Sequence, residues 1–182
     1  MKNKLLLHAC CAPCASAVVE RLIPEYDISI LFVNPNIQPS EEYDKRFNDI
    51  YKLKHYFNFS IIDHNYDPGK WTGHIAGYES EPEKGKRCGL CFEFRLNETA
   101  KKAREHEIYC FATTLTLSSH KDHKLINEIG KKIAGKYNIE YLSSNFKKQE
   151  GFKKSAALSK KIGLYKQNYC GCLYSKNAVK IS

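Results

Sequence analysis

The fold of this chain is decided by the stretch Leu5-Leu6-Leu7-His8-Ala9-Cys10-Cys11-Ala12-Pro13-Cys14. Its apolar start, Leu5 to Ala9, predicts a buried β-strand, and the pattern from Ala15 to Leu22 predicts the helix that follows. The turn between them carries three cysteines, at the place where many nucleotide-binding α/β proteins have glycines whose backbone amides bind phosphate. The stretch therefore predicts the first strand and helix of an α/β protein, with thiols at the turn.

Farther along the chain, short β-rich runs alternate with helical patterns. Further strands are predicted at 28–33, 59–63, 108–115 and 139–142, and further helices at 40–57, 88–106, 124–137 and 152–162. Ser40 is expected to cap the helix at 40–57, whose first turn is acidic. This alternation predicts a five-stranded, mainly parallel sheet with helices on both faces. In such sheets, ligands bind beyond the carboxyl ends of the strands.

The length and composition are those of an ordinary globular protein. The 182 residues suit one domain, which is expected to span 1–182. The composition, with 42% hydrophobic and 27% charged residues, argues against disorder. No run reaches the ~20 apolar residues of a membrane-spanning helix. Three leucines before His8 are too few for a signal peptide, which needs ~7 to 15 apolar residues. We therefore expect a cytoplasmic protein whose cysteines are kept reduced.

Seven of the eight cysteines are expected at the carboxyl edge of the sheet. They are Cys10, Cys11 and Cys14 after the first strand, Cys88 and Cys91 in a C-x-x-C, and Cys170 and Cys172 in a C-x-C. Cysteines three apart at a helix start lie on one face and can share a metal centre. Cys110 lies inside a predicted strand, where cysteine behaves as a small hydrophobe, so we assign it to the core.

Several chemistries are open to these seven thiols. Disulfides are uncommon in a reducing compartment. A structural zinc takes four thiolates and leaves three idle. A four-iron cluster also takes four, and the other three then suit a second metal with an open position. Because neighbouring residues at a strand end point to opposite sides, Cys10 and Cys11 could face two different centres.

The positive charge of the chain is concentrated in its second half. The net charge is +9, and the sequence from Lys121 onward has fourteen lysines against four acidic residues. This half could be simply a soluble surface. Clustered lysines also recruit a polyanion by releasing its counterions, which favours nucleic acid as a partner. Neither a G-x-G-x-x-G nor a P-loop motif occurs, so an NAD or ATP site at the first turn is disfavoured.

Five segments, in order along the chain, resemble the cobalamin-independent epoxyqueuosine reductases, the QueH family. They are Leu7-His8-Ala9-Cys10-Cys11-Ala12-Pro13-Cys14, Asn34-Pro35-Asn36-Ile37, the run from Glu81 to Phe92, Phe111-Ala112-Thr113-Thr114-Leu115, and the run from Tyr165 to Cys172. The resemblance extends from Leu5 to about Ser175 and is more specific than a single C-x-x-C. Lys166 and Ser119 stand where the family pattern has arginine and proline.

The resemblance implies a single Rossmann-like domain of the HUP type and the last step of queuosine synthesis, at the wobble base of tRNA with a GUN anticodon. In this step an epoxide would lose its oxygen and become an alkene. The resemblance further implies that the enzyme uses a [4Fe-4S] cluster beside a mononuclear iron and receives electrons from a donor. It also implies that neither cobalamin nor ATP is needed. Removing the oxygen takes two electrons and two protons, and a Lewis acid eases cleavage of the C–O bond. The alternatives are a zinc-stabilised RNA-binding module without catalysis and an iron–sulfur tRNA thiolase.

On this interpretation the cluster is bound by Cys88, Cys91, Cys170 and one of Cys10 or Cys11, with Cys10 preferred. The remaining thiols, Cys11, Cys14 and Cys172, surround the second metal. Cys11, Cys14 and Tyr169 are the predicted catalytic residues. Tyr169, Glu83 and His8 are the candidate proton donors.

The tRNA contacts are predicted from how proteins bind single-stranded loops, by stacking bases on aromatic rings and by placing cations near phosphates. Trp71, in the glycine-bearing loop before Cys88, is the stacking candidate. The phosphate candidates are Arg87, Lys121, Lys147, Lys148 and Lys153.

Overall fold

A five-stranded sheet organises the computed structural model, which describes residues 2–181 and the side chains of residues 2–177. The strands are β1 (Asn3–His8), β2 (Tyr26–Leu31), β3 (Ser60–Ile62), β4 (Cys110–Thr113) and β5 (Glu140–Tyr141). They lie in the order β3-β2-β1-β4-β5, and each neighbouring pair is parallel. The opening stretch of the sequence therefore forms the central strand, and the predicted parallel sheet of a Rossmann-like fold is confirmed.

Helices cover both faces of the sheet, as predicted. They are α1 (Ala12–Leu22), α2 (Ser40–Lys54), α3 (Pro68–His74), α4 (Lys86–Glu105), α5 (His123–Tyr137), α6 (Gly151–Ile162) and α7 (Leu173–Ile181), with a 3-10 helix at Thr114–Leu117. Leu5 and Leu7 of β1 belong to the core beneath α1 and α2, whereas Leu6 belongs to the core beneath α4 and α5. Successive side chains of a strand point to opposite faces, so β1 joins the two cores.

No helix within residues 2–181 combines the length and the apolar character that crossing a membrane requires.

The boundaries of some elements differ from the sequence prediction. The expected cap by Ser40 is wrong: Pro39 occupies the cap position of α2, without a side-chain hydrogen bond, and Ser40 is already helical. The fourth strand ends early because the Thr113 hydroxyl accepts a hydrogen bond from the Leu115 amide and starts the 3-10 helix. The helices α3 and α7 were not predicted. α3 is a short helix capped by the Asp67 carboxylate, which accepts from the Lys70 amide.

Candidate metal centre

Three thiols cluster where β1 ends and α1 begins. The Sγ atoms of Cys10, Cys11 and Cys14 all lie within 4.8 Å of one another, and those of Cys10 and Cys11 are 3.9 Å apart. Pro13 in the first turn of α1 suits a helix start and fixes the turn that carries them. Two thiolates on one tetrahedral ion, with metal–sulfur bonds of ~2.3 Å, stand about 3.8 Å apart. The three thiols therefore fit a single metal ion and leave one position open.

Hydrogen bonds divide the protons unequally among these three thiols. Contacts with the Cys11 and Cys14 thiols lower the pKa of Cys10 well below its usual range. The same contact with Cys10 raises the pKa of Cys11 to about 12 and raises the pKa of Cys14 as well. The Thr114 hydroxyl also donates to Cys10 Sγ at 3.2 Å. Cys10 is thus the first thiolate of the group, and metal binding would release the remaining protons.

The other four thiols line one small cavity of about 80 Å³. Cys88 and Cys91 come from the first turns of α4, while Cys170 and Cys172 come from the loop before α7. Gly171 between them has φ of 138°, and a Cβ there would lie 2.9 Å from Ile37. Only glycine suits this position, since other residues rarely adopt that conformation and no space exists for a side chain.

The loop that carries Cys170 is fixed against α2 by several hydrogen bonds. The buried Arg46 guanidinium donates to the carbonyls of Cys170 at 3.1 Å and Tyr169 at 3.3 Å. The Gln38 amide donates to the Gly171 carbonyl at 2.9 Å, and the Tyr169 hydroxyl donates to the Gln38 carbonyl at 2.8 Å. These contacts bring the end of the chain over the carboxyl edge of the sheet.

The two thiol groups lie side by side. Cys10 and Cys14 line a larger cavity of about 310 Å³ that also reaches Cys170. The residues common to both cavities are Cys170, Glu83, Arg95, His120 and Lys121. The structure therefore brings the seven predicted cysteines to one edge as two adjoining groups. Cys110 is separate and buried in β4, as predicted.

Two cations stand between the thiol groups. Burial opposes the charge of Arg95, but the neighbouring cysteines Cys91 and Cys170 raise its pKa. For Lys121 burial likewise lowers the pKa, and the neighbouring Cys170 and Cys10 outweigh this effect and raise it. Both side chains therefore stay charged and would compensate negative sulfur in a buried place once a metal has displaced the thiol protons.

The guanidinium of Arg95 is only partly hydrogen-bonded. Its Nε donates to the Cys91 carbonyl at 3.2 Å and its Nη1 donates to Asn34 Oδ1 at 3.2 Å. Its Nη2, buried at the same place, has no partner among the described residues. A buried donor without a partner is costly, which indicates that it serves a group bound in the cavity.

The donor set itself indicates which metals fit. Thiolates select zinc or iron–sulfur centres over magnesium or calcium, which prefer oxygen ligands. The thiolates of a four-iron cluster each bind a different iron and so stand farther apart than thiolates on one ion. The close group of Cys10, Cys11 and Cys14 suits one ion, and the group around the 80 Å³ cavity has the four thiols that a cluster takes.

The predicted proton donors differ in their positions. His8 is fully buried behind the site, with Nδ1 at 2.8 Å from the Thr113 hydroxyl and Nε2 at 3.3 Å from the Val33 carbonyl. Burial lowers the pKa of His8 to about 3, so the ring is neutral and both nitrogens are occupied. The prediction of His8 as a proton donor is therefore wrong. Tyr169 and Glu83 do line the 310 Å³ cavity.

Two of the predicted tRNA contacts are buried, and these predictions are wrong. Trp71 is 1% exposed and packs with Ile75 and Cys91, so no base can stack on it. Arg87 is 4% exposed and donates to the carbonyls of Glu79 and Glu81, so it does not face solvent. In both cases tertiary packing of the loop against α4 overrides its polar composition.

The predicted phosphate-binding lysines are placed differently from one another. Lys121 faces the thiols and not the outer surface. Lys147 donates to the carbonyl of Lys121 at 2.8 Å, and exposed Lys153 pairs with Glu150 at 2.7 Å. Lys148 is exposed to solvent. Of the five phosphate candidates, only Lys148 and Lys153 are therefore exposed to solvent.

Sequence reasoning missed three residues that touch the thiols or stand between them. Arg95 follows Cys91 by four positions on α4, so the helical repeat could have placed it on the cysteine face. Gln167 Nε2 donates to Cys11 Sγ at 3.1 Å, and Thr114 contacts Cys10. In the sequence, Gln167 and Thr114 are far from the cysteines that they contact, and only folding of the chain brings them together.

Comparison with known proteins gives a consistent result. A family model described as epoxyqueuosine reductase QueH matches residues 5–178. The protein named epoxyqueuosine reductase QueH from Acinetobacter baylyi is 40% identical over 175 residues, which cover 95% of this chain and 80% of that protein. Its namesakes from Streptococcus pyogenes and Thermotoga maritima are each 36% identical, over 96% and 94% of this chain and 71% and 89% of their own lengths.

Proposed function

This chain belongs to the epoxyqueuosine reductase QueH family, and from that membership we propose that it reduces the epoxide of epoxyqueuosine to the alkene of queuosine at the wobble position of tRNA with a GUN anticodon. The reaction takes two electrons from an external donor and two protons, and it releases the oxygen as water. The observation that supports this proposal is the pair of adjoining thiol groups at the carboxyl edge of the sheet. We expect the chemistry to take place in the cytoplasm.

For the metals, we propose that the [4Fe-4S] cluster is bound by Cys88, Cys91, Cys170 and Cys172 and that a single iron is bound by Cys10, Cys11 and Cys14. The shared cavity of the first four and the 4.8 Å limit on the last three support this division. It differs from the sequence-based division by exchanging Cys10 and Cys172. When bound, the two centres would supply single electrons and a Lewis acid for the leaving oxygen.

The protein side chains prepare the cavity for an oxygen that becomes negative. Arg95 Nη2 is a charged donor with no competing partner among the described residues, so it can donate to that oxygen without first breaking another bond. Lys121 adds a second positive charge on the same wall. Arg95 is held in place by its hydrogen bonds to Cys91 and Asn34 before the substrate arrives, which is the condition for electrostatic stabilisation of a transition state.

The Tyr169 hydroxyl lines the same cavity and is the proposed source of a proton for the departing oxygen. This hydroxyl donates to the Gln38 carbonyl in the structure, and delivery of its proton would break that bond. The exposed side chain of Glu83 also lines the cavity. Burial raises the pKa of Tyr169, so its proton stays bound at neutral pH. We therefore keep Cys11, Cys14 and Tyr169 as the proposed catalytic residues, with Gln167 positioning Cys11 through its hydrogen bond.

The proposal is tested with protein purified without oxygen. We expect visible absorption that bleaches on reduction, and about five iron atoms per chain, four of them in the cluster. Incubation with epoxide-bearing tRNA and a chemical reductant, without ATP or cobalamin, should give queuosine in the nucleoside digest. Protein that contains its full complement of iron but leaves the epoxide intact would refute the proposed reductase activity. A colourless protein that contains one zinc and only binds RNA would support the non-catalytic alternative.

Cysteine variants test the division of ligands. The double variant Cys88→Ser/Cys91→Ser should lose the visible absorption and fall to about one iron per chain. Cys14→Ser should keep the cluster absorption and lose the single iron. Cys110→Ala, which alters a thiol buried in the sheet, is the matched control and should retain both. Unchanged iron content in the double variant would refute the cluster assignment.

A further inference from the structure

An open groove of about 530 Å³ lies beside the thiol cavity. The two share Cys14, Ser118, His120 and Gln167, so the groove is continuous with the place where the reaction is proposed. Its volume is in the range of ~300 to 1,000 Å³ that is common for pockets binding small ligands. A molecule that places one group near the thiols can therefore place the adjoining group in this groove.

One wall of the groove is a single face of α6. The lining residues from this helix are Phe152, Ser155, Ala156, Ser159 and Lys160. Their spacing of three and four residues is that of one helical face. The Ser155 hydroxyl donates to the carbonyl of Pro13 at 2.6 Å, and this bond fixes the face relative to the turn that carries the cysteines.

An aromatic ring is left open to solvent on this face. Phe152 is 60% exposed, and it is the only exposed phenylalanine among the residues whose side chains the structure describes. A single exposed apolar residue is common on protein surfaces. This ring differs because it lines a groove continuous with the reaction cavity, where a flat partner could cover it.

The charge around the groove favours an anion. Exposed Lys160 and Lys166 line it, and six lysines but no acidic residue occur between 151 and 177. Flat aromatic rings next to cations are how proteins bind single-stranded nucleic acid, with bases on the rings and phosphates on the cations.

We propose that this groove binds the nucleotide adjoining the wobble base, with its base stacked on Phe152 and its phosphate near Lys160 and Lys166. The inference rests on the proposed function, because it takes the substrate to be a tRNA anticodon loop. It adds a second recognition site on the substrate and replaces the stacking role expected of Trp71.

The test uses metal-loaded protein and a synthetic anticodon stem–loop with an unmodified wobble guanosine. A fluorescent 2-aminopurine is placed on one side of the wobble base in one probe and on the other side in a second. Wild-type protein should quench one probe by stacking. Phe152→Ala should abolish the quenching and weaken binding by about 5- to 100-fold, as expected for loss of one stacked base. Phe152→Tyr should restore both.

Control variants distinguish stacking on Phe152 from a general loss of affinity. Tyr56→Ala removes a comparably exposed ring that follows α2 at the opposite edge of the sheet and should leave binding unchanged. The double variant Lys160→Ala/Lys166→Ala changes only exposed side chains. It should bind the stem–loop more weakly, and its affinity should depend less steeply on salt concentration. Normal affinity and normal quenching in Phe152→Ala would overturn the inference even if tRNA is reduced. Failure of wild-type turnover with intact binding would instead refute the proposed function.

Discussion

Arg95 is fully buried between the two cavities, and one arm of its guanidinium has no hydrogen-bond partner among the described residues. A second fixed acceptor would normally satisfy such a group, because an unpaired buried charge is costly. The negative sulfur around it and the proposed oxygen of the substrate are both suitable partners. Arg95 would then act on two events, the reduction of the metal centre and the departure of the oxygen.

Replacement of this arginine should separate these effects. Arg95→Gln should lower kcat by about 100- to 1,000-fold, as for loss of one preorganised donor, with little change in KM for tRNA. It should also lower the reduction potential of the proposed cluster, since an added electron there would lose a neighbouring positive charge. Arg95→Lys keeps the charge and should shift the potential less. Arg104→Gln, an exposed arginine on the same helix, is the control. An unchanged potential and kcat would contradict the role.

The cysteine positions could be predicted from sequence because thiols at fixed spacing are rare and strand order places them at one edge. The burial of Trp71 and Arg87 could not be predicted, since a glycine-bearing loop is expected to be exposed until its packing against α4 is known. Arg95 was overlooked because a charged residue on a helix is usually solvent-exposed, and only the buried thiols around it make its position distinctive.

At the scale of elements, the site depends on how closely α6 approaches the loop before it. A Cβ on Gly151, the first residue of α6, would overlap the carbonyl oxygen of Phe146. A clash with backbone cannot be relieved by rotating a side chain. The start of α6 must then shift, together with the Ser155 bond to Pro13 and the wall of the groove.

A pair of glycine replacements tests this close approach. Gly151→Ala should lower Tm by about 3 to 10 °C because it introduces overlap in a packed place. Gly135→Ala, in helix α5, has open space around the new methyl group and should raise Tm by about 1 to 4 °C through better helix propensity. Thermal unfolding followed by far-ultraviolet circular dichroism measures both. Equal shifts in the two variants would show that the contact with Phe146 has no influence.

For the whole molecule, the uneven charge should determine how binding responds to salt. The sequence from Lys121 onward has fourteen lysines against four acidic residues, and this excess of positive charge favours a substrate whose phosphates carry condensed counterions. The logarithm of the tRNA association constant should fall linearly with the logarithm of the salt concentration. Lys148→Ala should reduce the steepness of that line by about 0.7, the value for one contact with a single strand. Lys54→Ala, at the exposed end of α2, should not. A wild-type association constant that does not change with salt concentration would show that the lysines take no part in tRNA recognition.

The three cysteine segments are also far apart in the order of synthesis, because Cys10 precedes four of the five strands and Cys172 follows all of them. The ribosome therefore makes the first cysteines long before the last, while most of the sheet is still to be made. The group of four thiols is complete only once Cys170 and Cys172 have been made, so on the proposed division of ligands a cluster would be inserted after the last strand.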